Sequence, residues 1–317
     1  DDNRYRKISF VGDETLNSLT STVRLVKNWE LYNLTGLVRY TDDFSQQNNN
    51  ATLQQYPQIT LTGMKQPLFK TPINYELTSL YSYNYRGEGQ SGQLFDIKPD
   101  FTMPVNFGRY AQLTPRLGWR GTTWERDDKQ EDTGNRRGTR QIVNAGAVLN
   151  TEIQRIFNVG LGGVEKIRHS IKPELTYNYI PYVSQGDIPN YVTTVYDQNA
   201  LIYALTNTLT AKLKDKSGKV SYREIMRLKL AQLYDFKEAT RTVSPADRDK
   251  RPFSFIDAEL DINPFQYLSF SARNKYSVNA GEWRQANYDM TLRDWRGDMV
   301  SLGYRDTWNT SWSLPDI

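Results

Sequence analysis

Residues 87–92 read Gly-Glu-Gly-Gln-Ser-Gly, which satisfies the GxGxxG spacing by which glycines let backbone approach a pyrophosphate at a helix N-terminus. That chemistry needs a helix after the glycines. The residues that follow, 93–107, alternate as a strand does, so a hairpin loop is expected here and no dinucleotide site. Ser217-Gly218-Lys219 lacks the upstream glycine of a phosphate-binding loop and reads as a turn. Asp257, Glu259 and Asp261 place three carboxylates on one face of a strand, a geometry open to a hard cation or to an acid/base pair. Arg273 and Lys275 occupy the corresponding face of the next segment, so cross-strand charge pairing is the expected role. His169, the one histidine, is in phase with Ile171 and Leu175 and has no second ligand or nucleophile suggested nearby; a structural or interfacial place on the apolar side is expected. With no cysteine in the chain, thiolate nucleophiles, disulfides, Cys-ligated zinc and iron–sulfur clusters all fall away. No catalytic centre, metal site or cofactor is expected.

The elements that would carry these side chains follow from their period. In 73–86, Ile73, Tyr75, Leu77, Tyr81, Tyr83 and Tyr85 share one parity and Asn74, Glu76, Thr78, Ser82, Asn84 and Arg86 the other. A helix would scramble those parities. The pattern returns in Phe95, Ile97, Phe101, Met103, Val105 and Phe107 against Asp96, Lys98, Asp100, Thr102 and Asn106, which reads as one strand. It returns again in Ile171, Leu175, Tyr177 and Tyr179 against Lys172, Glu174, Thr176 and Asn178, and in Leu201, Tyr203, Leu205, Leu209 and Leu213. Met226, Leu228 and Leu230 oppose Arg223, Arg227 and Lys229. Ile256, Ala258, Leu260 and Ile262 oppose the three carboxylates, and Leu268, Phe270, Ala272, Tyr276 and Val278 oppose Ser269, Ser271, Arg273, Lys275 and Ser277.

This periodicity predicts about fifteen strands, many of about 10–16 residues, where soluble proteins centre near 5–6 and a tilted bilayer crossing takes about 9–11. Connections fall into two sizes. Tight ones lie at 27–31, at Asn263-Pro264 and at 295–298; long polar ones lie at 45–55, 126–140, 181–198 and 238–251. Short turns at one end and long loops at the other are the habit of outer-membrane barrels.

Composition is compatible with that reading. The 317 residues carry 40 basic and 36 acidic side chains, a net charge of +4, without the single-sign field a nucleic-acid binder uses. Aromatics make up 13% while the mean hydropathy is −0.69. No run reaches the 18 or so apolar residues of a membrane helix, but alternation hides a lipid-facing surface from any windowed average. Trp29, Tyr32, Trp119, Trp124, Trp283, Trp295 and Trp308 are expected near strand ends, as an interfacial girdle. The fold class is therefore all-β, a large antiparallel transmembrane β-barrel filling residues 1–317 as a single partial domain.

Residues 165–191, EKIRHSIKPELTYNYIPYVSQGDIPNY, resemble the C-terminal barrel of the lipopolysaccharide-assembly outer-membrane family, LptD or OstA. The strand ending in Tyr-x-Tyr-x-Pro-Tyr and followed by a Gln-x-Asp loop is similar to that family's mid-barrel signature. GQLFDIKPDFTMP at 92–104, IMRLKLAQLYDFKE at 225–238 and RGDMVSLGY at 296–304 follow in family order. The resemblance implies a non-enzymatic translocon in the outer membrane of a Gram-negative bacterium, delivering lipopolysaccharide to the outer leaflet. It implies three kinds of partner: lipopolysaccharide, an LptE-type lipoprotein plug in the lumen, and periplasmic bridge proteins acting through an N-terminal jellyroll. That jellyroll, the family's cysteines and the terminal strands of its roughly 26-stranded barrel have no counterpart in the sequence, so a fragment is expected. Lys172, Glu174, Arg227, Lys229, Arg273 and Lys275, on the polar parity, are the candidate lumen-facing contacts for lipopolysaccharide or plug. A porin-like channel and a soluble carbohydrate-binding β-sandwich remain as other readings.

Overall fold

A computed structural model of the chain describes residues 17–127, 135–215, 217–244 and 249–308. Residues 128–134 and 245–248, within two of the expected long loops, lie outside the described residues, as do 1–16, 216 and 309–317, so the expected domain bounds of 1 and 317 fall outside them.

Period-two segments rich in Tyr, Leu, Val and Thr have one way to bury every backbone amide: pairing side by side. They do so as β1 (Ser18–Asn28), β2 (Tyr32–Asp43), β3 (Gln54–Pro67), β4 (Asn74–Tyr85), β5 (Gly92–Thr102), β6 (Val105–Phe107), β7 (Ala111–Arg126) and β8 (Arg137–Asn150). The rest are β9 (Ile153–Leu161), β10 (Val164–Ile180), β11 (Gln198–Lys214), β12 (Val220–Asp235), β13 (Ile256–Phe265), β14 (Leu268–Ser277), β15 (Glu282–Arg293) and β16 (Met299–Thr307). The described residues hold sixteen strands, against an expectation of about fifteen. Among the described residues the strands pair antiparallel and form one sheet in chain order, with β6 on β7 and β9 on β10 as short side ladders. Among the described residues β1 pairs on one side, with β2, and β16 on one side, with β15. A single ladder of strands up to 17 residues long is not the two packed layers of a sandwich.

Two local expectations change. The run 95–107 is one strand by parity, but it breaks at Met103-Pro104 into β5 and β6, since Pro104 has no N–H to continue a ladder. Arg223 does not share the face of Arg227. A bulge lets Met226 pair with Leu209 and Glu224 with Thr210, so Arg223 comes opposite Ala211, one residue out of phase. The 238–251 loop also begins in a short helix, α1 (Phe236–Thr240), whose first amides, Lys237 N and Glu238 N, are taken up by the Asp235 carboxylate at 2.8 and 3.1 Å.

Backbone contacts divide the chain into two units. One runs to Met103 and adds Arg116–Asn144 and Pro181–Asp197; the other comprises Pro104–Pro115, Ala145–Ile180 and the chain from Gln198 onward. In the first unit the turns at 29–31 and 68–73 are tight and share one end, while 44–53, 86–91 and 181–197 gather at the other. In the second, 162–163, 215–219 and 294–298 are tight and share an end with the β13–β14 turn, which falls at 266–267, just past the expected Asn263-Pro264.

Candidate functional site

Burial runs in reverse to that of a soluble sheet. On β5 Asp96 is 3% exposed and its neighbour Phe95 43%; on β7 Thr122 is 0% and Leu117 55%. Buried polar residues therefore outnumber buried apolar ones in the first unit's wall, and the apolar parity looks outward. A soluble protein places these the other way round. The 87–92 loop is a hairpin connection leading into β5, a strand and not a helix, closed by Ser91 Oγ on Arg86 N at 2.8 Å. Ser217-Gly218-Lys219 is a turn whose amides at 217 and 219 are held by Asp215 Oδ1 at 2.8 and 2.9 Å. Both phosphate-loop readings end there. His169 lies opposite Leu209 of β11 and Arg155 of β9, half-buried on the apolar parity as expected.

The polar face of the second unit collects all six predicted contact residues in three neighbouring rows. Across the sheet run Lys172, Thr206, Lys229, Glu259 and Arg273 in one row, and Glu174, Ala204, Ala231, Asp257 and Lys275 in the next. Ser170, Thr208, Arg227 and Asp261 form the third. With strands about 4.8 Å apart, such rows are continuous strips in which both signs of charge stand among small neutral residues. Two of the three carboxylates of β13 pair with the neighbouring strand as expected: Lys275 Nζ is 3.8 Å from Asp257, and Arg273 lies within 2.8 Å of Asp261. The second contact runs diagonally, because the residue across from Asp261 is Ser271. Arg273 Nη1 also donates to the Leu260 and Ala272 carbonyls, at 3.2 and 2.9 Å. Lys172 reaches Glu174 at 3.8 Å, leaving Arg227 and Lys229 as cations of this grid without an ion pair among the described residues.

Sequence reading passed over the counterpart in the first unit. Arg116 Nε lies 2.8 Å from both oxygens of Asp100, and Arg120 Nε 2.8 Å from Asp96 Oδ1, which also accepts the Thr122 hydroxyl at 2.6 Å. Both pairs are diagonal, over Gly118 and Thr122 respectively. The signal was there in 116–126, where Arg116, Arg120 and Arg126 share a parity, but Gly118, Thr122 and Trp124 between them blur it. Arg305 and Asp289 repeat the arrangement on β16 and β15 at 2.6 and 2.7 Å, over Gly303. In each case a small residue opposite the carboxylate leaves the volume in which the guanidinium lies flat.

The loop 181–197 then folds onto the first unit's polar face. Val192 joins Leu94 and Trp124 in a small apolar cluster, with Ile188 and Tyr191 against it. Arg126 Nη2 reaches the Asp187 carbonyl at 3.1 Å, and Asn190 N donates to Gln90 at 2.8 Å. Trp124 is thus not part of an interfacial girdle: at 9% exposure it is the floor under this loop, and Trp119 sits in mid-strand. Trp29, Trp283, Trp295 and Trp308 are exposed at or beside strand ends, as expected. Asp187 itself is held below the ordinary carboxylate value, first by the Asn135 amide and then by the Arg126 guanidinium, against a push upward from partial burial.

These features define a class: a long-stranded antiparallel sheet, apolar where exposed and ion-paired where covered, in the manner of β-barrel membrane proteins. The family model for LptD, LPS transport system D, matches residues 2–312. The LPS-assembly protein LptD of Xanthomonas euvesicatoria pv. vesicatoria (strain 85-10) is 32% identical over 243 residues, covering 68% of this chain and 27% of that protein. The protein of the same name from Methylococcus capsulatus is 23% identical over 211 residues, 60% of this chain and 19% of its own length. The chain belongs to the LptD family, a family of transport and not of enzymes, and spans about a quarter or less of the curated relatives it matches.

Proposed function

We propose that this chain is a wall segment of an outer-membrane β-barrel that moves lipopolysaccharide to the outer leaflet, with residues 1–317 forming part of one barrel domain. The apolar parity faces lipid and the polar parity faces an aqueous lumen. Lipopolysaccharide joins an anionic sugar headgroup to acyl chains, and exposing those chains to water costs about 0.8 kcal/mol per CH₂. Its two halves therefore require two different surfaces. The reversal of burial between Asp96 and Phe95 is the observation that carries this reading, because one wall then offers both surfaces. Lys172, Arg227, Lys229, Arg273 and Lys275 are the cations of the headgroup side, and Glu174 moderates Lys172. An LptE-type lipoprotein seated on that face and periplasmic bridge proteins acting through a domain elsewhere in the whole protein complete the machine.

The test is a photocrosslinking residue introduced at Lys229, Arg273 or Leu205 of the full-length protein in growing cells. Lipopolysaccharide adducts at the first two positions and few at Leu205 are expected. No adduct at either polar position, or steady ion conductance of the purified protein as an open pore, would reject transport in favour of a passive channel.

A further inference from the structure

The ladder between β12 and β13 ends at Met226 and Ile262, whereas β12 runs on through six more residues toward Val220, paired there with β11. Beyond that last pair the β13–β14 hairpin tip stands apart, and a cavity of about 290 Å³ lies in the notch at the tight-turn end. Two arginines line it, Arg223 and Arg293, with Asn263, Ser269 and Thr291 as neutral hydrogen-bonding groups. Deeper along the sheet Arg273 and Arg305 are neutralised by Asp261 and Asp289. No carboxylate lines the notch among the described residues. Asp294, next to Arg293, is consumed by its own turn, its Oδ1 accepting the amides of Arg296 and Asp298 at 2.8 and 2.9 Å and its Oδ2 facing Arg296 Nε at 3.1 Å. Glu224, next to Arg223, is opposite Thr210 on the polar parity and does not line the notch. The bulge puts Arg223 on the parity of Ala211, shared by Phe265 and Leu268, while Ser269, Thr291 and Arg293 lie on the polar parity, so the notch at the sheet's end is lined from both faces.

Two forked cations with hydroxyl and amide groups beside them are the chemistry of a phosphoryl oxyanion. Their combined charge matches a phosphomonoester, which carries about −1.5 to −2 near neutrality, better than the single charge of a phosphodiester. Phe265 and Leu268 also line the cavity, and Phe265 is 52% exposed, so an apolar surface adjoins the cationic one. We propose that this notch holds the phosphomonoester headgroup of a glycolipid whose acyl chains lie along the apolar face. The inference rests on the transport reading for its setting and gives that reading a defined phosphate contact.

Native mass spectrometry of the full-length protein in detergent, titrated with diphosphorylated lipid A, its dephosphorylated form, phosphatidylglycerol and inorganic phosphate, tests it. Arg223→Gln with Arg293→Gln is expected to weaken binding of diphosphorylated lipid A tenfold or more. The Lys pair at the same positions should fall between, and Arg109→Gln, at another tight turn, should leave binding unchanged. Undiminished binding by the Gln pair overturns the proposal, as does equal binding of dephosphorylated lipid A. Equal affinity for phosphatidylglycerol would assign the notch to a bilayer phospholipid, and full competition by inorganic phosphate to a free anion; either result also overturns it. Should the Gln pair lose its heat-resistant gel mobility, the Lys pair decides, and unchanged affinity in it overturns the proposal. Lipid A binding lost in these variants while crosslinks at Lys229 persist is the expected result. Binding kept by the native protein without any such crosslinks would sink the transport reading alone.

Discussion

Arg140 of β8 donates from Nη1 to the Gln185 side chain at 2.5 Å, tying a wall strand to the loop that follows β10. The same guanidinium reaches the Thr193 carbonyl at 3.0 Å and, through Nη2, the Thr122 hydroxyl at 3.2 Å. Gln185 in turn brackets Val195, donating to its carbonyl at 2.5 Å and accepting its amide at 3.0 Å. One buried cation therefore holds both limbs of the 181–197 loop on the polar face. Arg140→Met is expected to remove roughly 1.5–3 kcal/mol of loop docking, the range for hydrogen bonds to a charged group. Hydrogen exchange across 183–195 should rise while the β10–β11 ladder stays protected; unchanged exchange in the loop would refute the role.

The loop should also respond to acid. Asp187 is held below the ordinary value of 3.8, so its stabilising contribution is present above that value and is lost as pH falls through the lowered one. Protease cutting within 181–197 is therefore expected to stay low at neutral pH and to rise only on the acid side of 3.8. Asp187→Asn should flatten that dependence. Release beginning well above 3.8 would contradict it.

Leu205 lies in mid-strand on β11 and is 37% exposed, while Thr206 belongs to the row of Lys172 and Lys229. Arg at Leu205 is expected to destabilise the protein in bilayers by roughly 2–4 kcal/mol if the site is at the midplane, and Arg at Thr206 by far less. Equal shifts in urea unfolding from lipid vesicles would show the two faces to be wrongly assigned.

Glycines offer a matched pair. A Cβ on Gly118 would come 1.9 Å from Asn144 Oδ1 and 2.7 Å from Asp100 Oδ2, whereas one on Gly36 meets nothing within 4 Å. Gly118→Ala is expected to cost about 1–3 kcal/mol, by displacing the Arg116–Asp100 pair as well as by crowding. Gly36→Ala should fall within about 0.5 kcal/mol of the native protein in the same unfolding assay.

The Arg273–Asp261 pair is half-exposed, so Arg273→Gln is expected to change stability by about 1 kcal/mol or less. Its effect should instead appear in the yield of lipopolysaccharide crosslinks at Lys229. A large stability loss with unaltered crosslinking would make the pair structural.

Alternation in 73–86, 171–179 and 256–278 was enough to read long antiparallel strands with two unlike faces, because a period of two depends only on neighbours in the chain. The same parity put Lys172, Arg227, Lys229, Arg273 and Lys275 on one side, and the ladders keep them there. Tertiary structure alone decided the rest. Which carboxylate an arginine meets depends on inter-strand register and on a small residue such as Ser271 or Gly118 lying opposite, so Arg273 finds Asp261 and not its direct neighbour Glu259. Arg223 changed sides through one bulge, a register shift that local spacing does not encode. Trp124 became a floor instead of a girdle residue because a loop some sixty residues later returns to cover it, and such a contact is set by how strands are stacked in space, which no local pattern carries.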